Sequence, residues 1–179
     1  MDKITLAVPC YNEEPVLELF YEAVTAVAAK MPQVEFEFLF IDDGSRDGTL
    51  QKILELSERD SRVKYISFSR NFGKEAGIYA GLENASGDYV VIMDADLQDP
   101  PALLPEMYRA VTQEGYDCVG SRRVTRKGEP PIRSFFARMF YKIINKMSDA
   151  QIVDGARDFQ MMNRQVVDAI LSMGEYNRF

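Results

Sequence analysis

Short apolar runs alternate with amphipathic segments along most of the chain. The apolar runs are rich in β-branched and aromatic residues and end at turn signals, which is typical of strands. The segments between them repeat their apolar positions with the period of a helix. This alternation indicates an α/β fold with a mostly parallel, Rossmann-like sheet and helices on both faces. Strands are predicted at residues 3–9, 35–42, 63–68, 88–94 and 116–120, and helices at 14–30, 48–59, 73–85 and 101–114.

A chain of 179 residues without repeats, low-complexity tracts or linkers is expected to form a single domain, residues 1–179. Its 46% hydrophobic and 27% charged residues are ordinary for a soluble globular protein. The N-terminus lacks the pattern of a signal peptide, and no apolar run approaches the roughly 18 residues that a membrane span needs. The chain by itself is therefore predicted to be soluble and cytoplasmic.

Charge is distributed unevenly along the chain. The net charge is -7, but the stretch from Arg122 to Lys146 carries +7 and the remainder carries -14. An acidic body with one basic patch indicates a localised anionic partner, such as a phosphate group or a membrane surface. The basic residues of this stretch are Arg122, Arg123, Arg126, Lys127, Arg133, Arg138, Lys142 and Lys146.

The chain contains no histidine, which excludes Ser-His-Asp catalysis, Cys-His catalysis and zinc sites built on histidine. Its two cysteines, Cys10 and Cys118, fall in predicted strands and are expected to be buried and reduced. Metal binding or proton transfer must therefore use carboxylates.

Two carboxylates follow the fourth predicted strand, and a carboxamide comes two residues later. Side chains alternate along an extended chain, so Asp94, Asp96 and Gln98 would project to one side and could bind one divalent cation. Mg²⁺ and Mn²⁺ held in this way commonly accompany phosphates. An isolated Asp-x-Asp is more often a solubilising strand end, here ahead of Pro100 and Pro101, so the interpretation depends on the other strand ends.

The first two predicted strands also end in polar residues, at the edge where parallel sheets bind ligands. Tyr11 could cover a base, and Asn12 is explained equally well as a ligand or as a helix cap. Asp42 and Asp43 directly follow apolar residues, and such a pair is costly to bury unless it meets donors such as base N–H groups or ribose hydroxyls. Asp47 is predicted to cap the next helix.

The third predicted strand leads to a glycine at the start of a helix. Gly73, with Arg70 and Lys74 nearby, could receive a phosphate or a base edge, although the spacing is not that of a Walker A loop. Gly77 and Gly81 lie one turn apart in the same helix and are predicted to let it pack closely on the sheet.

Together these motifs resemble the family 2 glycosyltransferases of GT-A fold, and within them the dolichyl-phosphate mannose synthase and bactoprenol glucosyltransferase group. The resemblance extends over essentially the whole chain. Each motif is weak alone, but five of them in this order and at these spacings are specific. They are residues 8–14 (VPCYNEE), 41–49 (IDDGSRDGT), 69–74 (SRNFGK), 93–101 (MDADLQDPP) and 120–122 (GSR).

The resemblance implies an inverting, metal-dependent hexosyltransferase. It would move one hexose from a donor of the UDP-glucose or GDP-mannose type to undecaprenyl or dolichyl phosphate, at the cytoplasmic face of a membrane, for cell-wall or surface-glycan modification. Mg²⁺ or Mn²⁺ at Asp94, Asp96 and Gln98 would bind the donor diphosphate as a Lewis acid. No nucleic-acid partner is expected, and the oligomeric state is left open. The implied nucleotide-sugar contacts are Pro9, Tyr11, Asn12, Glu13, Asp42, Asp43, Lys74, Asp94 and Ala95.

On the acceptor side, the resemblance implies that Asp158 orients the lipid phosphate or acts as a base. A phosphate monoester is largely ionised near neutral pH, so a strong base is not required. The plain alternative for Asp158 is a salt bridge with Arg157 or Arg164. The implied acceptor-phosphate contacts are Arg122, Arg126 and Arg133, and the implied catalytic residues are Asp96, Arg122 and Asp158.

Residues 132–147 have the pattern of a basic amphipathic helix within the basic segment 122–147. Such a helix either lies in a membrane interface or packs on the protein core, and the sequence leaves both open.

Two departures from the wider family affect the interpretation. The chain has no tryptophan, so the Gln-x-x-Arg-Trp element of processive synthases is absent and a single transfer per cycle is expected. It also stops at Phe179, where relatives continue into a membrane region, so a C-terminally truncated catalytic domain is expected.

Three alternatives stay open at this stage. One is a family 2 enzyme with a saccharide acceptor, and another is a sugar nucleotidyltransferase that attacks the α-phosphate. The third is a non-catalytic module that binds nucleotide sugars or lipids, against which the presence of Asp94, Asp96 and Gln98 together counts.

Overall fold

The computed structural model describes residues 1–122 and 156–173. The predicted amphipathic helix at 132–147 therefore lies outside the described residues. None of the described helices has the length and hydrophobicity needed to cross a bilayer. The strands are β1 (Asp2–Cys10), β2 (Val34–Asp42), β3 (Val63–Ser67), β4 (Tyr89–Ile92), β5 (Cys118–Arg122) and β6 (Ala156–Asn163). The helices are α1 (Leu17–Ala28), α2 (Thr49–Arg59), α3 (Lys74–Asn84), α4 (Leu104–Gln113), which a 3₁₀ turn (Pro101–Leu103) precedes, and α5 (Arg164–Ser172).

The strands form one mostly parallel sheet in the order β3-β2-β1-β4-β6-β5. Strands β1 to β4 run parallel to their neighbours, whereas β6 is antiparallel to both β4 and β5. The chain leaves β1 toward β2 on one side and later returns to place β4 on the other side. The carboxyl ends of β1 and β4 therefore flank a topological switch point, where α/β sheets bind their ligands.

Helices cover both faces of the sheet, as predicted. On one face, α1, α2 and α4 bury residues such as Phe20, Ile53 and Leu104 against Leu6 and Phe38. On the other face, α3 and α5 bury Ile78, Leu82 and Val167 among a second set of strand residues that includes Ala7 and Ile41. Alternate side chains of β1 and β2 thus enter two separate cores, because a strand points successive side chains to opposite faces.

Two glycines bring α3 close to the sheet, which confirms the predicted close packing. A Cβ atom at Gly81 would lie 3.0 Å from Ala7 Cβ and 3.1 Å from Ile41 Cδ1, and one at Gly77 would lie 3.3 Å from Pro9 Cβ. The helix can therefore rest against the backbone of β1 and β2. This position brings its first residue, Lys74, to the carboxyl edge of the sheet.

The structure differs from the sequence-based prediction in three places. The fourth strand ends at Ile92 rather than at residue 94, since the chain turns after it and Leu97 has φ 57°. Cys118 is exposed, not buried, because β5 is the edge strand of the sheet. Strand β6 and helix α5 were not predicted, and β6 occupies an interior position between β4 and β5.

The packing of α3 predicts that substitutions at its two glycines, Gly77 and Gly81, affect stability differently. Gly81→Val should lower the free energy of unfolding by about 1–3 kcal/mol, because the added methyl groups have no room beside Ala7 and Ile41. Gly77→Ala should change it little, because the better helix propensity of alanine, worth about 1 kcal/mol, offsets a mild contact with Pro9. Urea denaturation of both variants measures the difference, and equal losses would contradict the proposed close approach at Gly81.

Candidate functional site

A cavity of about 390 Å³ opens at the switch point, beyond the carboxyl ends of β1 and β4. It contains four carboxylates and one ammonium group, so its walls are strongly acidic. We call it the acidic cavity. It is lined by Pro9, Cys10, Tyr11, Glu13, Asp43, Asn71, Gly73, Lys74, Asp94, Ala95 and Asp96.

Asp43 holds the loop before α3 against the end of β2 through hydrogen bonds. Its buried carboxylate accepts the backbone N–H groups of Phe72 at 2.6 Å and of Gly73 at 2.9 Å. Gly73 has φ 98°, a conformation that glycine adopts without a steric penalty. Asp43 therefore finds donors inside the protein, and these contacts set the position of the neighbouring Lys74.

Asp42 is buried as well, but it does not line the acidic cavity. Its carboxylate accepts the N–H of Ser45 at 3.1 Å and the hydroxyl of Ser67 at 3.2 Å. The donors that a buried aspartate requires are thus supplied by the turn after β2 and by β3. Nothing in this arrangement requires a ligand to satisfy Asp42.

Asn12 joins two loops and does not cap α1. It has φ 57°, its side-chain oxygen accepts the N–H of Arg46 at 2.9 Å, and its own N–H donates to Ser45 Oγ at 3.0 Å. Helix α1 begins at Leu17 without a side-chain cap. The N-cap position of α2 is Gly48, and Asp47, one residue before it, accepts the N–H of Thr49 at the start of the helix.

Lys74 connects two carboxylates that belong to different strand ends. Its Nζ atom donates to Asp94 Oδ2 and to Asp158 Oδ2, each at 2.7 Å. Burial alone would lower the pKa of Lys74, but the hydrogen bonds to Asp158 and Asp94 outweigh it and raise that pKa. The lysine therefore stays charged and links β6 to the loop after β4.

The alternative pairing of Asp158 with Arg157 or Arg164 was wrong, since Arg157 contacts Asp99 and Arg164 donates to backbone carbonyls.

Electrostatics at the mouth of the cavity favour a bound cation. Burial raises the pKa of Glu13, and the nearby charges of Asp96 and Asp94 raise it further. The same setting raises the pKa of Cys10 well above its usual value, first through burial and then through Glu13 and Asp42. Burial and the neighbouring carboxylates thus favour the thiol form of Cys10 over the thiolate that a nucleophile needs.

Asp94 and Asp96 both line the acidic cavity, as predicted, but a turn brings them together and not the alternation of a strand. They lie in the turn after β4 rather than on an extended strand, so period-two alternation does not explain their placement. Asp96 Oδ1 accepts the N–H of Gln98 at 3.0 Å, which holds the turn. Gln98 itself lines a neighbouring cavity and is not among the residues that line the acidic cavity.

The neighbouring cavity, which we call the arginine cavity, has a volume of about 450 Å³. Arg157 Nη1 lies 3.2 Å from Asp99 Oδ1, and the Asp99 side chain is only 8% exposed. Burial raises the pKa of Asp99, although Arg157 opposes this shift. Beside this pair, the hydroxyl of Ser121 is buried and has no hydrogen-bond partner in the part of the chain that is described. The cavity is lined by Gln98, Asp99, Pro100, Leu103, Ser121, Arg122 and Arg157.

The structure brings most of the predicted site residues together, but in two groups. The predicted nucleotide-sugar contacts line the acidic cavity except for Asn12 and Asp42, and Arg122 lines the arginine cavity. Arg126 and Arg133 lie outside the described residues. Sequence reasoning gave Asn71 and Ser121 no role and considered Arg157 only as an ion-pair partner of Asp158. Asn71 falls inside a quoted motif, whereas Arg157 has no local signal because its partner is distant in sequence.

Comparisons with known proteins give matches over almost the whole chain. Residues 5–171 match the family described as "Glycosyl transferase family 2". The chain is 47% identical over 176 residues to the putative glycosyltransferase CsbB of Bacillus subtilis, covering 98% of this chain and 53% of the relative. It is 41% identical over 177 residues to the bactoprenol glucosyl transferase of Shigella phage SfV, covering 99% of this chain and 57% of the relative. The chain thus spans about half the length of these relatives.

A solved structure has the same fold. The mannosyltransferase PcManGT of Pyrobaculum calidifontis, in complex with GDP-Man and Mn²⁺, matches with a TM-score of 0.67 at 20% identity. The match covers 99% of this chain and 48% of that chain. The predicted GT-A fold is therefore confirmed.

The position of Lys74 predicts competition with added metal ions. A divalent cation that coordinates Asp94 Oδ2 must displace or share the Lys74 ammonium group. Lys74→Met should therefore raise the affinity for Mn²⁺ in the absence of nucleotide about fivefold, which corresponds to the ~1 kcal/mol that an exposed ion pair contributes. Titration followed by electron paramagnetic resonance measures this affinity. Lys64→Met on the exposed side of β3 is the matched control, and an unchanged or weaker affinity in Lys74→Met would refute the competition.

Proposed function

The chain belongs to glycosyl transferase family 2, and on this basis we propose that it transfers one hexose from a nucleoside-diphosphate sugar to a polyprenyl phosphate. The relatives named as bactoprenol glucosyl transferases support this choice of acceptor class. The observation that carries the proposal is the acidic cavity at the switch point, where Glu13, Asp43, Asp94 and Asp96 surround Lys74. A UDP-hexose or a GDP-hexose is the proposed donor.

The donor would lie along the acidic cavity with its nucleoside over β1 and its diphosphate near Asp94. Tyr11 is 40% exposed beside the cavity, so its ring is accessible to a base. Pro9 and Glu13 lie on the same side, and Asn71 adds a neutral polar group next to Asp43. Lys74 would contact the diphosphate, because it is the cation that the described residues place inside this cavity.

The carboxylates fit a divalent cation whose coordination the donor completes. Asp94 already attracts the ammonium group of Lys74 at 2.7 Å. No group of three histidine, cysteine or carboxylate side chains that could hold a metal occurs in residues 1–122 and 156–173. Mg²⁺ and Mn²⁺ commonly take one or two carboxylates and complete their shell with phosphate oxygens and water. Asp94 and Asp96 would hold Mg²⁺ or Mn²⁺, which would stabilise the charge of the leaving diphosphate as a Lewis acid. Gln98 lines the neighbouring cavity and would have to turn from it to add a further oxygen.

The remaining residues would orient the acceptor. An acceptor phosphate oxygen forms the new bond to the anomeric carbon while the bond from that carbon to the nucleoside diphosphate breaks, and attack from the opposite face inverts the configuration. The phosphate monoester is largely dianionic near neutral pH, so its oxygen needs no strong base. Asp158 is 60% exposed and linked to Lys74, which lets it orient the acceptor beside the donor. Arg122 would contact the acceptor phosphate, and we propose the same role for Arg126 and Arg133.

The place and the biological role of the reaction follow from the same proposal. Transfer would take place at the cytoplasmic face of a membrane and serve cell-wall or surface-glycan modification, as the resemblance of the motifs to this group implies. Residues 1–179 would act as one catalytic domain of the protein, and the basic segment 122–147 would contact the membrane interface.

The proposal predicts that nucleotide binding depends on metal through Asp96. Isothermal titration with UDP and with GDP should show binding in Mn²⁺ and little binding in excess EDTA. Asp96→Asn should weaken the Mn²⁺-dependent binding and abolish turnover of the matching nucleotide sugar, with a loss of about 100-fold or more, because the Lewis acid contributes several kcal/mol.

Asp168→Asn, an exposed carboxylate on α5, is the matched control and should behave like the unmodified chain. Circular dichroism checks that both variants keep the fold. Equal affinity of Asp96→Asn and Asp168→Asn for nucleotide, or full turnover in EDTA, would refute the metal assignment.

A further inference from the structure

The acidic cavity and the arginine cavity carry opposite electrostatic signs. Among the described residues that line it, the acidic cavity has four carboxylates against one ammonium group, so a bound anion needs a compensating cation. Among the described residues that line it, the arginine cavity has two guanidinium groups against one carboxylate. It can attract a phosphate group without any metal.

Arg157 is held at the wall of the arginine cavity by a buried partner. Its Nη1 atom contacts Asp99 Oδ1 at 3.2 Å, while the arginine side chain remains 24% exposed. A guanidinium group has five N–H donors in a planar fork, so the contact with Asp99 fixes its orientation and, within the described residues, occupies only part of its donors. Asp99 therefore acts as a positioning residue for Arg157.

The strand that carries Arg157 also carries Asp158, and the two side chains have different partners. Successive side chains of a strand point to opposite sides. Asp158 reaches Lys74 and thereby the acidic cavity, whereas Arg157 reaches Asp99 and the arginine cavity. Strand β6 thus links the two cavities through adjacent residues.

Ser121 supplies an unsatisfied hydroxyl group to the same wall. Its Oγ atom is buried and has no hydrogen-bond partner within residues 1–122 and 156–173. A buried polar group without a partner is destabilising, and a ligand oxygen in the cavity would satisfy it.

We propose that the arginine cavity binds the phosphate monoester of the acceptor without a metal ion, through Arg157, Arg122 and Ser121, with Asp99 holding Arg157 in place. The identity of the ligand as the acceptor rests on the proposed function. The binding of a phosphate monoester rests on the cavity itself. The two cavities thereby divide the substrates: the donor diphosphate binds with a cation, and the acceptor phosphate binds to guanidinium groups.

Phosphorus-31 NMR titrations in excess EDTA test this division. Inorganic phosphate and geranyl phosphate, a short isoprenyl phosphate, are the two probes. Arg157→Gln should weaken the binding of geranyl phosphate about tenfold, since it removes a charge-assisted hydrogen bond. Arg59→Gln is the matched control, because Arg59 also forms an ion pair with a carboxylate but on the exposed surface.

Ser121→Ala separates a ligand role from a structural role. Loss of the hydroxyl should weaken the binding of geranyl phosphate about threefold to fivefold. The same change should leave the melting temperature equal or higher, because the hydroxyl has no partner in the described structure. Arg157→Lys keeps the charge but loses the planar fork, so it should retain part of the affinity for geranyl phosphate. Partial binding by this variant would show that the loss in Arg157→Gln comes from the missing charge and not from unfolding.

The outcomes distinguish this inference from the proposed function. Equal binding by Arg157→Gln and Arg59→Gln, or binding that requires Mn²⁺, overturns the phosphate site. Binding of inorganic phosphate but not of geranyl phosphate overturns the acceptor assignment in favour of a free phosphate. If UDP and GDP fail to bind in Mn²⁺ while geranyl phosphate still binds in EDTA, the proposed donor function fails and the phosphate site stands.

Discussion

Negative charge concentrated at one edge of the sheet is the constraint on which the rest of the site depends. Glu13, Asp43, Asp94 and Asp96 line one cavity, and their mutual repulsion must be offset for the fold to persist. The protein offsets part of it with two backbone N–H groups at Asp43 and with the Lys74 ammonium group at Asp94. A site built in this way is ready for a cation, because each added positive charge relieves repulsion that the fold leaves in place.

The fold was largely predictable because its parallel half obeys local rules. Strands β1, β2 and β3 begin and end within one residue of the prediction, since each is a short apolar run between turn signals. Strand β6 was not predicted because Arg157, Asp158 and Gln160 interrupt its apolar residues. Its strand conformation depends on pairing with β4 and β5, which are distant in sequence.

The sequence predicted which residue types form the candidate site, but it did not predict which groups they contact. The aspartates after β2 and β4 stood out because carboxylates at apolar strand ends are costly. Their partners did not stand out: Asp43 meets the loop at Phe72 and Gly73, and Asp99 meets Arg157. Such contacts join segments that only the folded sheet brings together. The prediction of an extended row of ligands failed at Leu97, where the left-handed backbone turns Gln98 toward the second cavity.

The insertion of β6 between β4 and β5 has a consequence for how the chain folds. In the described structure β5 joins the sheet only through β6, so residues 118–122 take their place together with residues 156–163 or after them. Pairing between segments so far apart requires closure of a long loop, which is a slow step in folding. The parallel half of the sheet can therefore form first, and Asp158 and Arg157 arrive with the last strand. Under the proposed function, an incompletely folded chain would have the carboxylates assigned to the donor without the two residues assigned to the acceptor, and it would bind a sugar nucleotide without transferring the sugar.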